Sequence, residues 1–315
     1  MINPAYFESL GNETLEFLSK AEKLKKEKNA VVLAHFYEPI EIQLAADFVG
    51  DSLELARRCK DLECEKIVFC GVSFMAETAK LLCPEKCVFI PAPDAGCLMA
   101  DMIDENHILR LREEHPHASV VCYINSTART KAVSAICCTS ANAVKVASAV
   151  EGDEIIFVPD RNLGRFVAEQ VPQKKFFFHP GYCPIHDNLK LEKVLEAKAE
   201  HPGAPVLTHP ECQPEICALS DFVGSTSQIL RFVAESEDRE FIICTEDGVI
   251  ERMRMLHPEK TFFNPDRETL FCEGMKKITP EMLIDTLENG VGEVFLDEGL
   301  RERALRPIER MLEIK

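Results

Sequence analysis

Along the chain, short apolar runs alternate with longer stretches in which charged and apolar positions follow helical spacing. VVLAH (31–35), VVCYI (120–124) and VLTHP (206–210) each come after a charged helical stretch. KIVFC (66–70), EIIFV (154–158) and EFIIC (240–244) follow at spacings of 88 and 86 residues, and a further helical pattern leads each time to VFIP, FFFHP or TFFNP. Runs rich in β-branched and aromatic residues, set between helices of ten or more residues, predict parallel strands joined by crossover helices. The recurrence itself predicts triplication. DFVG stands at 47–50 and at 221–224, His35 and His209 are the same 174 residues apart, and VGDSLELAR (49–57) and VGSTSQILR (223–231) find a middle partner in CCTSANAVK (137–145).

The fold class predicted is α/β: three pseudo-threefold-related, three-layer α/β/α domains with parallel sheets and the active site on the central axis. Their bounds read as 1–97, 98–183 and 184–272, with a C-terminal helical segment over 273–315 whose pattern starts at Thr279. A single doubly wound sheet with accidental internal similarity is the competing architecture.

Composition narrows the function. With 36 Lys and Arg against 53 Asp and Glu the formal charge is −17, which argues against nucleic acid as the main partner, because phosphate contacts need surplus cations. No segment approaches the roughly 18 apolar residues of a membrane span, and Phe7, Glu8, Glu13, Glu16 and Lys20 interrupt any signal-peptide core, so a cytoplasmic location with no membrane partner is expected. The 14 cysteines are then expected as thiols, and no pair has the two-residue spacing of a local zinc motif. Any metal site must be assembled from distant segments.

Ligands of open parallel sheets bind beyond the carboxyl ends of the strands, where helix N-termini present unpaired N–H groups. The three matched joints place Asp51-Ser52, Thr139-Ser140 and Ser225-Thr226 there, at helices expected to start near Leu53, Ala141 and Ser227. A hydroxyl at such a place is ordinarily an N-cap; three in register also point to a pocket for a small polyanion. The first strand of each unit ends in His35 and Tyr37, Tyr123 and Asn125, or His209 and Glu211, and His209 with Glu211 forms an acid/base candidate. One cysteine follows the third apolar run of each unit: Cys97, Cys183 and Cys272, at spacings of 86 and 89. Three thiolates without a fourth ligand suit an open catalytic metal, either a zinc ion or a four-iron cluster. The other eleven cysteines read as core residues.

Those residues sit in longer motifs: LAHFYEPIEIQLAADFVGDSLELAR (33–57), FCGVSFMAETAKLL (69–82), DAGCLMADM (94–102), CTSANAVK (138–145), PDRNLGRFVAEQ (159–170), PGYCPIHD (180–187), HPEC (209–212), DFVGSTSQIL (221–230) and MKKIT (275–279). From about residue 30 to 280 the chain closely resembles the quinolinate synthase (NadA) family. The resemblance implies an oxygen-sensitive [4Fe–4S] cluster on the axis with ligands Cys97, Cys183 and Cys272 and one iron open to substrate. It implies condensation of iminosuccinate (iminoaspartate) with dihydroxyacetone phosphate to quinolinate, with loss of phosphate and water, in de novo NAD biosynthesis. The enzyme supplying iminosuccinate is then a potential partner. Family binding positions fall on His35, Ser52, Tyr123, Asn125, Ser140, His209, Glu211 and Thr226, a catalytic tyrosine on Tyr37, and a further match on His186. One departure is that many relatives read Cys-Pro-Asn-Met where this chain has Cys272-Glu273-Gly274-Met275. A colourless zinc enzyme, and a metal-sensing or anion-binding protein without turnover, are the rival readings.

Overall fold

The computed structural model describes Tyr6 and residues 10–314; the opening residues of the first expected unit and Lys315 lie outside the described residues. Twelve strands fall into three parallel four-stranded sheets. The first holds β1 (Ala30–His35), β2 (Phe48–Gly50), β3 (Lys66–Cys70) and β4 (Cys87–Phe89). The second holds β5 (Ser119–Tyr123), β6 (Ile136–Cys138), β7 (Glu154–Val158) and β8 (Lys175–Phe178), and the third β9 (Val206–Thr208), β10 (Phe222–Val223), β11 (Glu240–Cys244) and β12 (Thr261–Phe263). Each sheet runs in the same order, with its second strand outermost, then first, third and fourth. Identical order in three separate sheets establishes the triplication and excludes one continuous doubly wound sheet.

The central strands are apolar on both faces because helices cover both faces. Val32, Leu33, Val121, Phe157, Leu207 and Phe241 are fully buried. The registers His35↔Gly50, Tyr123↔Cys138 and Val223↔Thr208 bring the short second strand of each sheet level with the end of the first. The polar residues that follow the first strand and those that follow the second are thereby delivered to one rim.

Two of the three matched joints start helices by a capping box. The Asp51 carboxylate accepts the N–H groups of Leu53 and Glu54, both at 3.0 Å, while Glu54 reaches back to the Asp51 N–H. Ser225 and Gln228 do the same for the helix Thr226–Glu235. Both helices start one residue before the expected Leu53 and Ser227, and it is the residue before each that caps them. The middle joint differs more: its helix starts at Ala143, two residues after the expected Ala141, because the Asn142 side chain accepts the Thr139 N–H at 2.7 Å and holds residues 139–142 in a turn.

Beyond the third sheet stand two helices, Pro280–Asn289 behind its Thr279 cap and Glu298–Glu313 behind Asp297. Leu283 and Leu287 join the first core, whereas Ala304, Ile308 and Met311 join the second. Between them the chain runs along β4, with Ile90 N–H donating to Gly292 and Val294 N–H to Val88, so the sheet edge is paired. Ile308→Ala is expected to cost about 2–5 kcal/mol through the cavity it leaves, read as a lowered denaturation midpoint; an unchanged midpoint would show that the last helix carries no stability.

Candidate active site

At the rim shared by the three sheets lies a small cleft of about 40 Å³. His35, Tyr37, Ser52, Tyr123, Asn125, Ser140, His209, Glu211 and Thr226 all line it, together with Asp51, Phe74, Thr139 and Met275. Every binding position expected from the sequence is therefore present in one place. Because Asp51 and Ser225 do the capping, the Ser52 and Thr226 hydroxyls that follow them are left to face the cleft.

Hydrogen bonds across the axis lock the units together. Thr226 Oγ1 lies 3.2 Å from the Tyr37 hydroxyl, His209 Nε2 lies 3.2 Å from Ser140 Oγ, and Ser227 donates to Asp51 at 2.7 Å. A buried chain of polar groups continues from the tyrosine: its hydroxyl is 3.0 Å from Thr245 Oγ1, which is 3.0 Å from His186 Nε2. His186 Nδ1 is 2.9 Å from Glu211 Oε2, and that oxygen is 3.2 Å from His209 Nδ1. His186 does not line the cleft; it backs Glu211 from behind.

Charge follows from this geometry. Burial disfavours ionisation of Glu211, but His209 and His186 more than reverse that and hold it below the usual carboxylate range. Burial lowers His186 in spite of the carboxylate beside it, so a neutral imidazole donates Nδ1–H to an ionised Glu211. Burial, with Lys276 and His209 adding to it, takes His35 down to about 3. Its Nδ1 accepts the Tyr37 N–H at 3.2 Å, which leaves Nε2 as the protonated nitrogen. Burial and then Glu211 raise Tyr37 and Tyr123, so both phenols stay protonated. Glu211 Oε1 and Asn125 Oδ1 are buried without a hydrogen-bond partner, as expected of groups reserved for a ligand.

The three cysteines share one backbone arrangement. The first residue of the helix after the third strand donates its N–H to a carbonyl two residues before each thiol: Ser73 to Ala95, Arg161 to Gly181 and Asp247 to Leu270. Each sulfur accepts the N–H three residues further on, from Ala100, His186 and Met275. Cys97 feels the charge of Cys272, and Cys183 that of Cys97. Burial pushes Cys97 up to about 12 and Cys272 up to about 11, so a bound cation must displace their protons. All fourteen cysteines are free thiols; of the other eleven, eight are buried and Cys64, Cys87 and Cys217 partly so.

Sequence reasoning missed the carboxylates that hold two of these loops. Asp160 accepts the Cys183 N–H at 2.9 Å and Glu246 accepts the Cys272 N–H at 3.1 Å. They stand 86 residues apart just past β7 and β11, a spacing that the repeat itself offers as a signal. Thr245, the hydroxyl between Tyr37 and His186, was also missed and has no such signal. At the sequence departure, Gly274 lies so close to the Gly96 carbonyl that a side chain has no room, and its N–H reaches the Cys272 sulfur.

Among the described residues, Cys183, His186 and Glu211 form a metal-capable group with ligand atoms within 4.8 Å of one another, and the three cysteines do not form such a set. Cysteine thiolates are soft donors, and with the unpartnered Glu211 and Asn125 oxygens nearby their chemistry fits a metal cofactor.

A pseudo-threefold α/β fold that gathers acid/base groups and hydroxyls around one cleft, with a metal-capable Cys183, His186 and Glu211 group at its wall, defines an enzyme acting on small molecules with a metal cofactor. Similarity to known proteins makes the class specific. The family model described as quinolinate synthetase A protein matches residues 19–313. The chain is 47% identical over 290 residues to the quinolinate synthase of Clostridioides difficile (strain 630), covering 92% of this chain and 95% of that one. It is 49% identical over 295 residues to that of Dehalococcoides mccartyi (strain CBDB1), covering 94% and 97%, and 46% identical over 306 residues to that of Aquifex aeolicus (strain VF5), covering 96% and 95%. The chain belongs to the quinolinate synthase family. No helix among the described residues is long and apolar enough to cross a membrane.

The depressed His35 pKa carries a pH signature. Between about 3 and 6.5 the unfolded chain binds a proton that the folded one refuses, so stability falls as pH drops through that window. His35→Asn is expected to flatten this part of the acid limb in equilibrium unfolding; an unchanged slope would show that His35 accepts a proton in the folded state.

Proposed function

We propose that this chain condenses iminosuccinate (iminoaspartate) with dihydroxyacetone phosphate to quinolinate, releasing phosphate and water, in cytoplasmic NAD biosynthesis, with an open-site [4Fe–4S] cluster held by Cys97, Cys183 and Cys272. The observation that carries this reading is the cleft itself, where hydroxyls from all three units stand with an ionised Glu211 whose carboxylate lies within ligand reach of the Cys183 sulfur. We further propose the unit bounds 1–97, 98–183 and 184–272 with the C-terminal segment 273–315, which give each unit one ligand at its end.

Both substrates are small anions. Ser52 and Thr226, at helix starts, and Ser140 in its turn supply donors for carboxylate or phosphate oxygens, and Asn125, Tyr123 and the Nε2–H of His35 add neutral donors. Local donors outweigh the net charge of −17 because an enclosed site is screened from distant surface carboxylates. Glu211, through its unpartnered Oε1, is placed to take a proton from a substrate carbon during enolisation and imine formation. His209 and His186 hold that carboxylate, and the Tyr37 hydroxyl is the acid that can protonate a departing oxygen. When bound, the cluster supplies Lewis acidity at its open iron. Burial of His35, His209 and Glu211 excludes water that would hydrolyse an imine. The iminosuccinate donor enzyme is the natural partner, since that imine is short-lived in water.

Protein prepared without oxygen is expected to be brown, with about four irons per chain, and the combined Cys97→Ala, Cys183→Ala and Cys272→Ala variant colourless. Zinc or no metal in the wild type would overturn the cofactor. Glu211→Gln is expected to lower turnover by about 10²–10⁴-fold with iron retained; wild-type turnover would remove Glu211 as the required acid/base.

A further inference from the structure

Lys276 is a largely buried ammonium outside the cleft lining, and its partners belong to two different parts of the site. It donates to the backbone carbonyl of Tyr37, and it reaches Glu246 Oε1 at 2.8 Å and Oε2 at 3.0 Å. Glu246 is fully buried and also accepts the N–H groups of Cys272 at 3.1 Å and Gly248 at 2.8 Å. An unbroken chain thus runs from the Cys272 amide through the Glu246 carboxylate and the Lys276 ammonium to the Tyr37 carbonyl. Glu38, the residue after Tyr37, buries a carboxyl with neither oxygen hydrogen-bonded, and Lys276 is the cation that acts on it.

The packing leaves no slack. A Cβ on Gly248 would lie 2.8 Å from Lys276 Nζ, 2.9 Å from the Tyr37 carbonyl and 3.0 Å from Glu246 Oε2, so the knot closes only against a bare Cα. The equivalent corners lack this link: Asp160 holds the Cys183 amide, while Val72, at the matching place before the helix Ser73–Leu82, has no carboxylate for Cys97. The third ligand loop is tied to the tyrosine backbone through a lysine, whereas the second reaches the tyrosine hydroxyl through His186 and Thr245.

We propose that Lys276, oriented by Glu246, is a positioning residue that couples the Cys272 ligand loop to Tyr37, so that the proton-donating hydroxyl is registered against the metal centre. This rests on the functional reading above. An ion pair this enclosed resists salt screening, and the same ammonium holds the Tyr37 backbone carbonyl.

The test uses full-length protein reconstituted without oxygen with iron and sulfide, and reads iron content, cluster midpoint potential, kcat and KM. Lys276→Met is expected to keep its iron, to shift the potential to a more negative value through the lost positive charge, and to lower kcat about 100-fold with KM within about threefold. Lys276→Arg keeps the charge but not the slender head that fits against Gly248; the potential should return to that of wild type while kcat stays low. Gly248→Ala displaces the ammonium without removing it, and is expected to lower kcat about tenfold at unchanged potential. Wild-type kcat in Lys276→Met and Gly248→Ala overturns the coupling. Loss of iron in both also overturns it, leaving Lys276 as a mere prop for the Cys272 loop. Tyr37→Phe separates the two levels: a slow Tyr37→Phe with normal Lys276→Met removes this inference alone, whereas Tyr37→Phe at the wild-type rate removes the functional reading and the coupling with it.

Discussion

Three backbone hydrogen bonds, from Ser73 to Ala95, Arg161 to Gly181 and Asp247 to Leu270, fix where each thiol turn begins relative to its sheet. They are main-chain contacts from residues just past the third strand of each sheet, so they survive wide sequence divergence between the copies. Once those turns are set, the three cysteines stand at equivalent places relative to their sheets, and three differently decorated rims can be built on the shared backbone. The units need only agree in backbone to share an axis; their side chains are free to differ in chemistry.

That freedom has been used asymmetrically. At the first-strand position the copies carry His35, Tyr123 and His209, and two residues on they carry Tyr37, Asn125 and Glu211. A threefold pocket of identical groups would place like charges face to face. Here the only ionised carboxylate among these six sits between two imidazoles, and the opposite walls present neutral donors. An asymmetric substrate pair can therefore be oriented in one sense by a nearly symmetric scaffold.

Much of this was readable from the chain because repetition turns weak signals into aligned ones. The strand order, the hydroxyl joints and the three cysteines all lie in register; Ser52, Ser140 and Thr226 of the joints line the cleft, whereas the three cysteines do not. What escaped was of two kinds. Asp160 and Glu246 are in register with each other, but Val72 breaks the column in the first unit, so two matches out of three did not stand out. Thr245 and Lys276 act through partners more than 30 residues away in sequence in most cases, and a threonine after a strand or a lysine in a short motif has no local mark of its role. The later start of the middle helix had a local cause, the Asn142 side chain replacing a backbone bond, which helical periodicity does not register.

The C-terminal segment has a consequence for how the molecule comes into being. Its two helices bury apolar residues in the cores of the first and second units, and the stretch between them pairs with β4. A ribosome emits this segment after all three sheets have been synthesised. The contacts that bridge the first two sheets through this segment therefore become available only after the strands of all three sheets have been made.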